Sequence, residues 1–253
     1  MAANRIWMVL ACIVLAACAV QTTPPVLRLA LLAPFEGRYR EVGYEALYAA
    51  RLALREGGYA NLELLPIDDG GGSANAVQRA HALASYPTVK AVLLIGYPAT
   101  DSATQTALSA LPALIIGEWG ATPATDQVWQ LSHPALRQMY TAPPRADVLD
   151  AATLPAPIIG GDAFALRQFP KLRADLAGVT VISSAALPDA DFTQRYLASA
   201  QFAPQPGLWA TLTYDAAHIA ARAMTQNSAL GNTDYSGING RIQFADGYWL
   251  DAP

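Results

Sequence analysis

The stretch VLRLALLAPFEGRYREVGYEALYAARLALREGG, residues 26–58, decides the fold. It opens with the apolar run Leu27–Ala33, which only Arg28 interrupts, and such a run is typical of a parallel strand buried on both faces. Turn residues follow at 34–37, and apolar residues then recur at helical spacing up to the glycine pair Gly57-Gly58. The stretch therefore predicts a strand, a loop and a helix. We expect the loop to line a crevice at the carboxyl end of the strand.

The rest of the chain repeats this unit. Apolar runs that predict strands are followed by helical patterns or short connections, and four strand–helix units in a row predict an α/β fold with a parallel, right-handed, doubly wound sheet. The predicted strands are 61–67, 90–95, 113–116, 128–131, 157–160 and 179–183. The predicted later helices are 164–176, 191–201 and 208–224, and a terminal hairpin is predicted from 238–244 and 248–250.

Composition and charge limit the classes of function. With 253 residues, 53% hydrophobic and 14% charged, the chain can bury the core of one large domain or two small ones and is not disordered. The net charge is −4, and Lys90 and Lys171 are the only lysines. No basic face indicates nucleic-acid binding.

The pattern of the N-terminal residues indicates a targeting segment. Arg5 precedes a short apolar run at 6–15 that is too short to span a bilayer comfortably, and its flanks suit export. Leu15-Ala16-Ala17-Cys18 resembles the lipobox of bacterial lipoproteins, which implies cleavage before Cys18 and its lipidation. An ordinary signal peptide or an uncleaved anchor is the alternative. The prediction is an extracytoplasmic protein held at the membrane through lipidated Cys18 only.

A series of short motifs carries a family resemblance through its order. The motifs are LALLAPFEGRY at 29–39, Asp68-Asp69, IGYPATDSATQTA at 95–107, GATPATD at 120–126, PIIGGD at 157–162, DFTQRY at 191–196, TYDAAHIAARAM at 213–224 and GINGRIQFADG at 237–247. In that order the chain resembles the Leu/Ile/Val-type substrate-binding proteins of ABC transporters, which have the type I periplasmic binding fold.

The resemblance implies two lobes, each with a parallel doubly wound sheet, but the second lobe is reduced. Members of the family open that lobe with two strand–helix units, which need about 60 residues. Here only a proline-broken stretch, 133–153, lies between the last first-lobe strand and the strand at 157. The division that follows is a signal peptide at 1–17, a tether at 18–26, a first lobe at 27–132 plus about 208–232, and a reduced second lobe at 133–207 plus about 233–253.

The resemblance also implies a ligand site on the first lobe. Hydroxyl and backbone N–H groups after the third and fourth strands would hold the polar head of the ligand, and such groups at helix N-termini favour an anion. The matching positions are Thr100, Asp101, Ser102, Gly120, Ala121 and Thr122. For Asp101 and Ser102 the alternative is a plain cap of a third helix running to Leu111. Asp101 would disfavour an anion if it faced the pocket.

Aromatic and charged loop residues extend this predicted site. Two aromatic residues, Trp119 and Tyr97, suit an apolar side chain of the ligand, and Glu118 lies beside Trp119. The alternative for both aromatic residues is packing within the protein. Tyr39, with its neighbours Glu36 and Arg38, could line the cleft or be merely solvated.

The acidic residue that binds the ligand amine in amino-acid binders would fall near Ala177, and alanine cannot pair with an ammonium group. Either Asp162 or Asp189 substitutes, or the ligand is not a standard amino acid.

No motif favours catalysis, a metal or a cofactor. His81, His133 and His218 are scattered, and the glycine run at 70–72 lacks the lysine of a phosphate-binding loop. We predict a non-enzymatic protein that delivers a small polar or amphipathic, amino-acid-like metabolite to an ABC permease. The alternative is a lipoprotein that kept the fold but binds protein, because 29–43 also resembles the penicillin-binding-protein activator lipoproteins. A homodimer could compensate for the short second lobe.

Overall fold

A computed structural model describes residues 25–143, 145, 153–167 and 178–253. The strands are β1 Leu27–Ala33, β2 Leu62–Asp68, β3 Val89–Leu94, β4 Ala113–Ile116, β5 Val128–Leu131, β6 Ile158–Gly160, β7 Val179–Val181, β8 Asp234–Gly237, β9 Gly240–Ala245 and β10 Tyr248–Trp249. The α-helices are α1 Arg40–Glu56, α2 Ser73–Ala84, α3 Tyr97–Thr100, α4 Ser102–Ala107, α5 Ala190–Ala198 and α6 Leu208–Gln226. Short 3₁₀ helices span Pro134–Met139, Asp162–Phe164 and Leu230–Asn232.

The large sheet has eight strands in the order β2-β1-β3-β4-β5-β10-β9-β8. Strands β1 to β5 pair in parallel, and the terminal hairpin of β9 and β10 joins them where β10 pairs with β5. A second, two-stranded parallel sheet is formed by β6 and β7. The predicted parallel α/β architecture with a small second sheet is confirmed.

The core lies around the central strands, as their apolar runs require. Residues 29–33 of β1 are fully buried, as are the four residues of β4, because helices cover the sheet. Helix α1 packs against α6, and α2 packs against α4. The edge strand β2 is only partly buried and contains Pro66.

One buried carboxylate joins three parts of the chain. Glu45 on α1 accepts hydrogen bonds from the backbone N–H groups of Gly207 and Ala210, both at 2.8 Å, at the start of α6. It also pairs with Arg167 at 2.8 Å, which ties the segment after β6 to both helices. Burial raises the pKa of Glu45, while Arg167 and the two N–H groups oppose the rise.

Several elements differ from the sequence-based prediction. The third helix is not continuous to Leu111 but is broken at Asp101 into α3 and α4, and neither helix start has a side-chain cap. Strand β8 was not predicted, because four residues that include a glycine give little apolar signal. Of the helix predicted at 164–176, Phe164 ends a 3₁₀ turn, residues 165–167 are not helical, and 168–176 lie outside the described residues.

The strand pairing also bears on the predicted lobes. Residues 234–249, grouped by the sequence with the second lobe, are hydrogen-bonded into the same sheet as β1 through β10 and β5. The division into lobes stays a prediction. Its signal peptide 1–17, most of its tether and Cys18 lie outside the described residues.

Candidate functional site

A cleft opens at the carboxyl ends of β1, β2 and β3. Its volume is about 350 Å³, and its walls come from the loops that follow these three strands. Larger depressions of about 440 and 490 Å³ lie at the opposite end of the strands and along β2. We place the site at the carboxyl ends because ligands of open α/β sheets bind there. The residues of its wall include Glu36, Arg38, Tyr39, Asp69 and Tyr97.

Two tyrosine rings line this cleft, and a tryptophan ring lies behind them. Tyr39, Tyr97 and Trp119 meet edge to face, with ring centroids 5.2 to 5.8 Å apart. The two tyrosines are half-buried, whereas Trp119 is fully buried and stacks on Trp209 of α6 at 4.8 Å. Aromatic rings packed edge to face or stacked contribute more to stability than the burial of their area alone. These rings therefore form a packed aromatic cluster that extends from the cleft wall into the core.

Two adjacent carboxylates at the end of β2 have different surroundings. Asp68 accepts the N–H of Phe35 at 2.7 Å with one oxygen and that of Gly70 at 2.9 Å with the other. Asp69 is only 1% exposed. Its Oδ1 accepts the N–H of Gly71 at 2.8 Å, and its Oδ2 has no hydrogen-bond partner among the residues that the structure describes.

Burial raises the pKa of Asp69 to about 6. The hydrogen bond from Gly71 opposes this rise, and the negative charge of Asp68 adds to it. At neutral pH the carboxylate is therefore largely ionised, although one oxygen is buried without a donor.

The loops after β4 and β6 form a second, filled region. The Asp162 carboxylate accepts the backbone N–H of Glu118 at 2.6 Å, and Glu118 pairs with Arg137 at 2.8 Å. Both carboxylates are almost completely buried. Burial raises the pKa of Asp162 to about 7, the Ser183 hydroxyl and the Glu118 N–H oppose the rise, and the Glu118 charge adds to it.

The predicted site residues fall into two groups. Tyr39 and Tyr97 lie in the wall of the cleft, together with Glu36 and Arg38. Trp119 lies behind the two tyrosines, packed between Tyr97 and Trp209.

The predicted polar positions already make contacts within the protein. The contacts are a Thr100 hydroxyl that donates to the Gly96 carbonyl, an Asp101 carboxylate that accepts from the Ser73 hydroxyl and pairs with Arg145, a Gly120 N–H that donates to the Glu118 carboxylate, an Ala121 carbonyl that accepts from Arg137, and a Thr122 carbonyl that accepts from the Gln105 amide. Ser102 is exposed. Their role in binding stays a prediction.

The carboxylates proposed as substitutes near the ligand amine also have structural partners. Asp189 precedes α5 and caps it by accepting the Phe192 N–H at 2.7 Å. Asp162 lies in the filled region described above. Residue 177 lies outside the described residues. The sequence interpretation did not include Asp69 among its candidate site residues, although its place directly after a buried strand was the available signal.

Comparison with known proteins identifies the fold. No protein-family model matches the chain, and no curated protein matches its sequence. Similar solved structures include an extracellular ligand binding receptor from Desulfohalobium retbaense DSM5692, with 17% identity, a TM-score of 0.70, and 88% of this chain and 56% of that chain covered. The fold is that of the type I periplasmic binding proteins.

Two further structures with this fold carry descriptive names. The branched-chain amino acid transporter substrate binding protein LivJ from Streptococcus pneumoniae, in complex with isoleucine, has 17% identity and a TM-score of 0.64, with 88% of this chain and 93% of that chain covered. The leucine binding protein LivK from Thermotoga maritima MSB8 has 13% identity and a TM-score of 0.66, with 88% and 92% covered. The chain thus spans 56% of the Desulfohalobium receptor but most of LivJ and LivK.

The described residues contain neither a candidate membrane span nor a candidate metal site. Within 25–143, 145, 153–167 and 178–253, no helix combines the length and hydropathy needed to cross a bilayer. The same ranges contain no group of three or more His, Cys, Asp or Glu side chains placed to hold a metal ion.

Proposed function

We propose that the chain is an extracytoplasmic solute-binding protein of an ABC importer, anchored by a lipid on Cys18, that binds a small polar or amphipathic, amino-acid-like metabolite. The observation that carries the proposal is the cleft at the carboxyl ends of β1 to β3, walled by two half-buried tyrosines and a buried carboxylate. Its volume of about 350 Å³ suits a small metabolite, since ligand pockets have volumes of about 300–1,000 Å³. LivJ, which has the same fold, holds isoleucine.

The proposed mechanism is closure of two lobes around the ligand. A ligand that contacts both lobes prefers the closed state and shifts the population toward it. The closed form would then deliver the ligand to a membrane permease. No chemical step is part of this proposal, and we propose a non-enzymatic protein.

Native mass spectrometry of the protein, purified gently from its host, tests solute binding. A reproducible mass excess would identify a bound metabolite. A rise in melting temperature with leucine, isoleucine or the identified compound would support it, because a ligand of the folded state stabilises by mass action. A clean apo mass with no shift across amino acids, amides, peptides and sugars would contradict the proposal.

Lipid anchoring needs its own experiment. We expect Cys18→Ser to release the protein from the membrane fraction and to abolish incorporation of labelled fatty acid. Cys12→Ser, which removes the other cysteine, is the matched control and should change neither.

A protein-binding regulator is the second proposal, favoured by the filled region between β4 and β6. There Trp119 stacks on Trp209 and the Asp162 carboxylate accepts the Glu118 N–H, so this region leaves little open space for a small ligand. This regulator would activate a cell-envelope enzyme. The test is the polymerisation rate of a purified peptidoglycan synthase with and without the protein, and an unchanged rate would contradict this second proposal.

Equilibrium sedimentation checks the proposed homodimer, which a purely monomeric distribution would exclude.

A further inference from the structure

A groove of about 490 Å³ runs between the edge strand β2 and helix α2, and it shares no residue with the cleft. Its floor is apolar and is formed by Leu64, Leu65, Ile67 and Leu83. The three residues of β2 are only half-buried. Tyr86, at the end of the groove where α2 finishes, is 49% exposed.

The packing of the helices explains why this apolar surface is open. Parallel sheets of α/β proteins normally have helices over both faces of every strand. Helix α1 packs against β2, whereas α2 packs against α4 and β1. No residue of β2 is therefore fully buried, although the strands beside it form the core. An exposed apolar surface of this kind marks an interaction site.

Two opposite charges lie toward opposite ends of the groove. Glu63 lies in register with Arg28, which donates a hydrogen bond to the Tyr86 hydroxyl at 3.1 Å, so these three residues mark one end. Arg79 precedes Tyr86 by seven residues of a helical segment and thus lies about 10 Å further along the groove.

Both charges are available to a partner. The Glu63 side chain is 60% exposed and has only a long contact of 3.6 Å with Arg28. Arg79 is exposed and forms no ion pair with any residue that the structure describes. The groove thus offers an apolar floor with an acidic residue toward one end and a basic residue toward the other.

We propose that this groove is the contact surface of a two-fold symmetric dimer, in which it packs against the same groove of a second copy of this chain. In such an interface residue i contacts residue j and j contacts i, so two grooves in opposite directions form two Glu63–Arg79 pairs. The apolar floors then cover each other between these pairs. Pro66 offers no N–H at this edge, so side chains make the contact and the sheet does not continue.

Sedimentation equilibrium of the purified full chain over a range of concentrations tests the proposal. We expect the wild type to dimerise. Arg79→Glu alone and Glu63→Arg alone should each weaken dimerisation on the order of tenfold, because like charges then meet twice. An equimolar mixture of the two variants should recover the affinity of the wild type, since a dimer with one copy of each again has two opposite pairs.

Two further variants complete the experiment. Arg40→Glu makes the same charge change at an exposed position at the start of α1, outside the groove, and should leave dimerisation unchanged. Leu65→Asp places a charge in the apolar floor and should abolish the dimer. Thermal unfolding of each variant checks that it is folded.

Each contrary outcome overturns the proposal at a definite step. A wild type that stays monomeric at every concentration would exclude the dimer. A dimer that survives Arg79→Glu and Leu65→Asp unchanged would show that the copies associate through another surface. A mixture of the two charge variants that dimerises no better than either alone would exclude the two-fold pairing. The proposal does not depend on solute binding, which native mass spectrometry tests separately.

Discussion

Two loop regions at the carboxyl ends of the strands differ in how far they are filled. After β4 and β6, the Asp162 carboxylate accepts the Glu118 N–H, Glu118 pairs with Arg137, and stacked tryptophans occupy the space around them. After β1, β2 and β3, Asp69 lies in the wall of an open cleft of about 350 Å³. Each region keeps one buried carboxylate oxygen without a hydrogen-bond partner among the described residues, Asp162 Oδ1 and Asp69 Oδ2. The comparison teaches that the two regions differ in the space that they leave open and not in the hydrogen bonding of their carboxylates.

Removing the ring at the centre of the filled region should have the largest effect. Trp119 is fully buried and contacts Tyr39, Tyr97 and Trp209. We expect Trp119→Ala to lower the free energy of unfolding by about 3–5 kcal/mol, measured by urea denaturation, because a large cavity remains. Trp129→Ala, at a partly buried tryptophan, is the control. An equal loss of stability at both positions would show that the stacked tryptophan contributes no more than a partly buried one.

Breaking the ion pair of the filled region should have the second-largest effect on stability. Arg137→Ala leaves the Glu118 carboxylate buried without its partner, and we expect a loss of roughly 3 kcal/mol by the same measurement. Adding Glu118→Gln should restore part of this loss, since the uncompensated charge disappears. A double variant less stable than Arg137→Ala would contradict this explanation.

A pair of glycines compares the space in the two regions directly. Gly117 has a φ of 77° and Gly71 a φ of 70°, so alanine suffers similar backbone strain at both. A Cβ at Gly117 would lie 2.6 Å from the Asp162 Oδ2, whereas nothing lies within 4 Å of one at Gly71. We expect Gly117→Ala to be less stable than Gly71→Ala by roughly 2 kcal/mol in thermal unfolding. Equal stabilities of the two variants would mean that the filled region can accommodate the added methyl group by a small local shift.

The dependence of stability on pH should give the smallest effect. Because the pKa of Asp69 is raised from 3.8 to about 6, the folded protein binds more protons than the unfolded chain in that interval. The free energy of unfolding therefore falls as pH rises from about 4 to 6. Asp69→Asn should remove this fall and be more stable than the wild type at pH 7, by less than the roughly 3 kcal/mol to which the shift corresponds, because the new amide N–H groups also need acceptors.

Urea denaturation at pH 4 to 8 measures this effect. The charged residues Asp68, Glu36 and Arg38 remain in the variant, so the comparison measures the removal of the Asp69 charge together with its repulsion from Asp68. The corresponding Asp162→Asn variant should remove a fall that extends to about pH 7. A wild-type profile that rises through the interval, with the variant parallel to it, would contradict the prediction for Asp69.

The sequence predicted the positions of the central strands along the chain because each strand is an apolar run, which is a signal in the local composition. Strands β1, β3 and β4 lie within a residue or two of the expected ranges. The terminal hairpin was also predicted, but its attachment to β5 was not, because sheet pairing between distant segments leaves no local pattern.

The site was predictable only in part, for a similar reason. Tyr39 and Tyr97 follow strands, and the parallel sheet brings such loops together. The partner of Trp119 is Trp209, which is distant in the chain, so the sequence left packing and ligand contact open for it. Asp68 and Asp69 look alike in the sequence, and only the turn of the backbone after β2 gives one two donors and the other a single donor.

The two edges of the large sheet have a consequence for the protein at high concentration. Strand β2 carries Pro66, which offers no N–H for a further strand, and β8 at the other edge is only four residues long. Prolines and short strands at edges discourage the strand-by-strand joining that leads to fibrils. Molecules crowded on a surface should therefore resist polymerising through the edges of the large sheet, and we expect any association between copies to use other parts of their surface, such as the side chains of the groove beside β2.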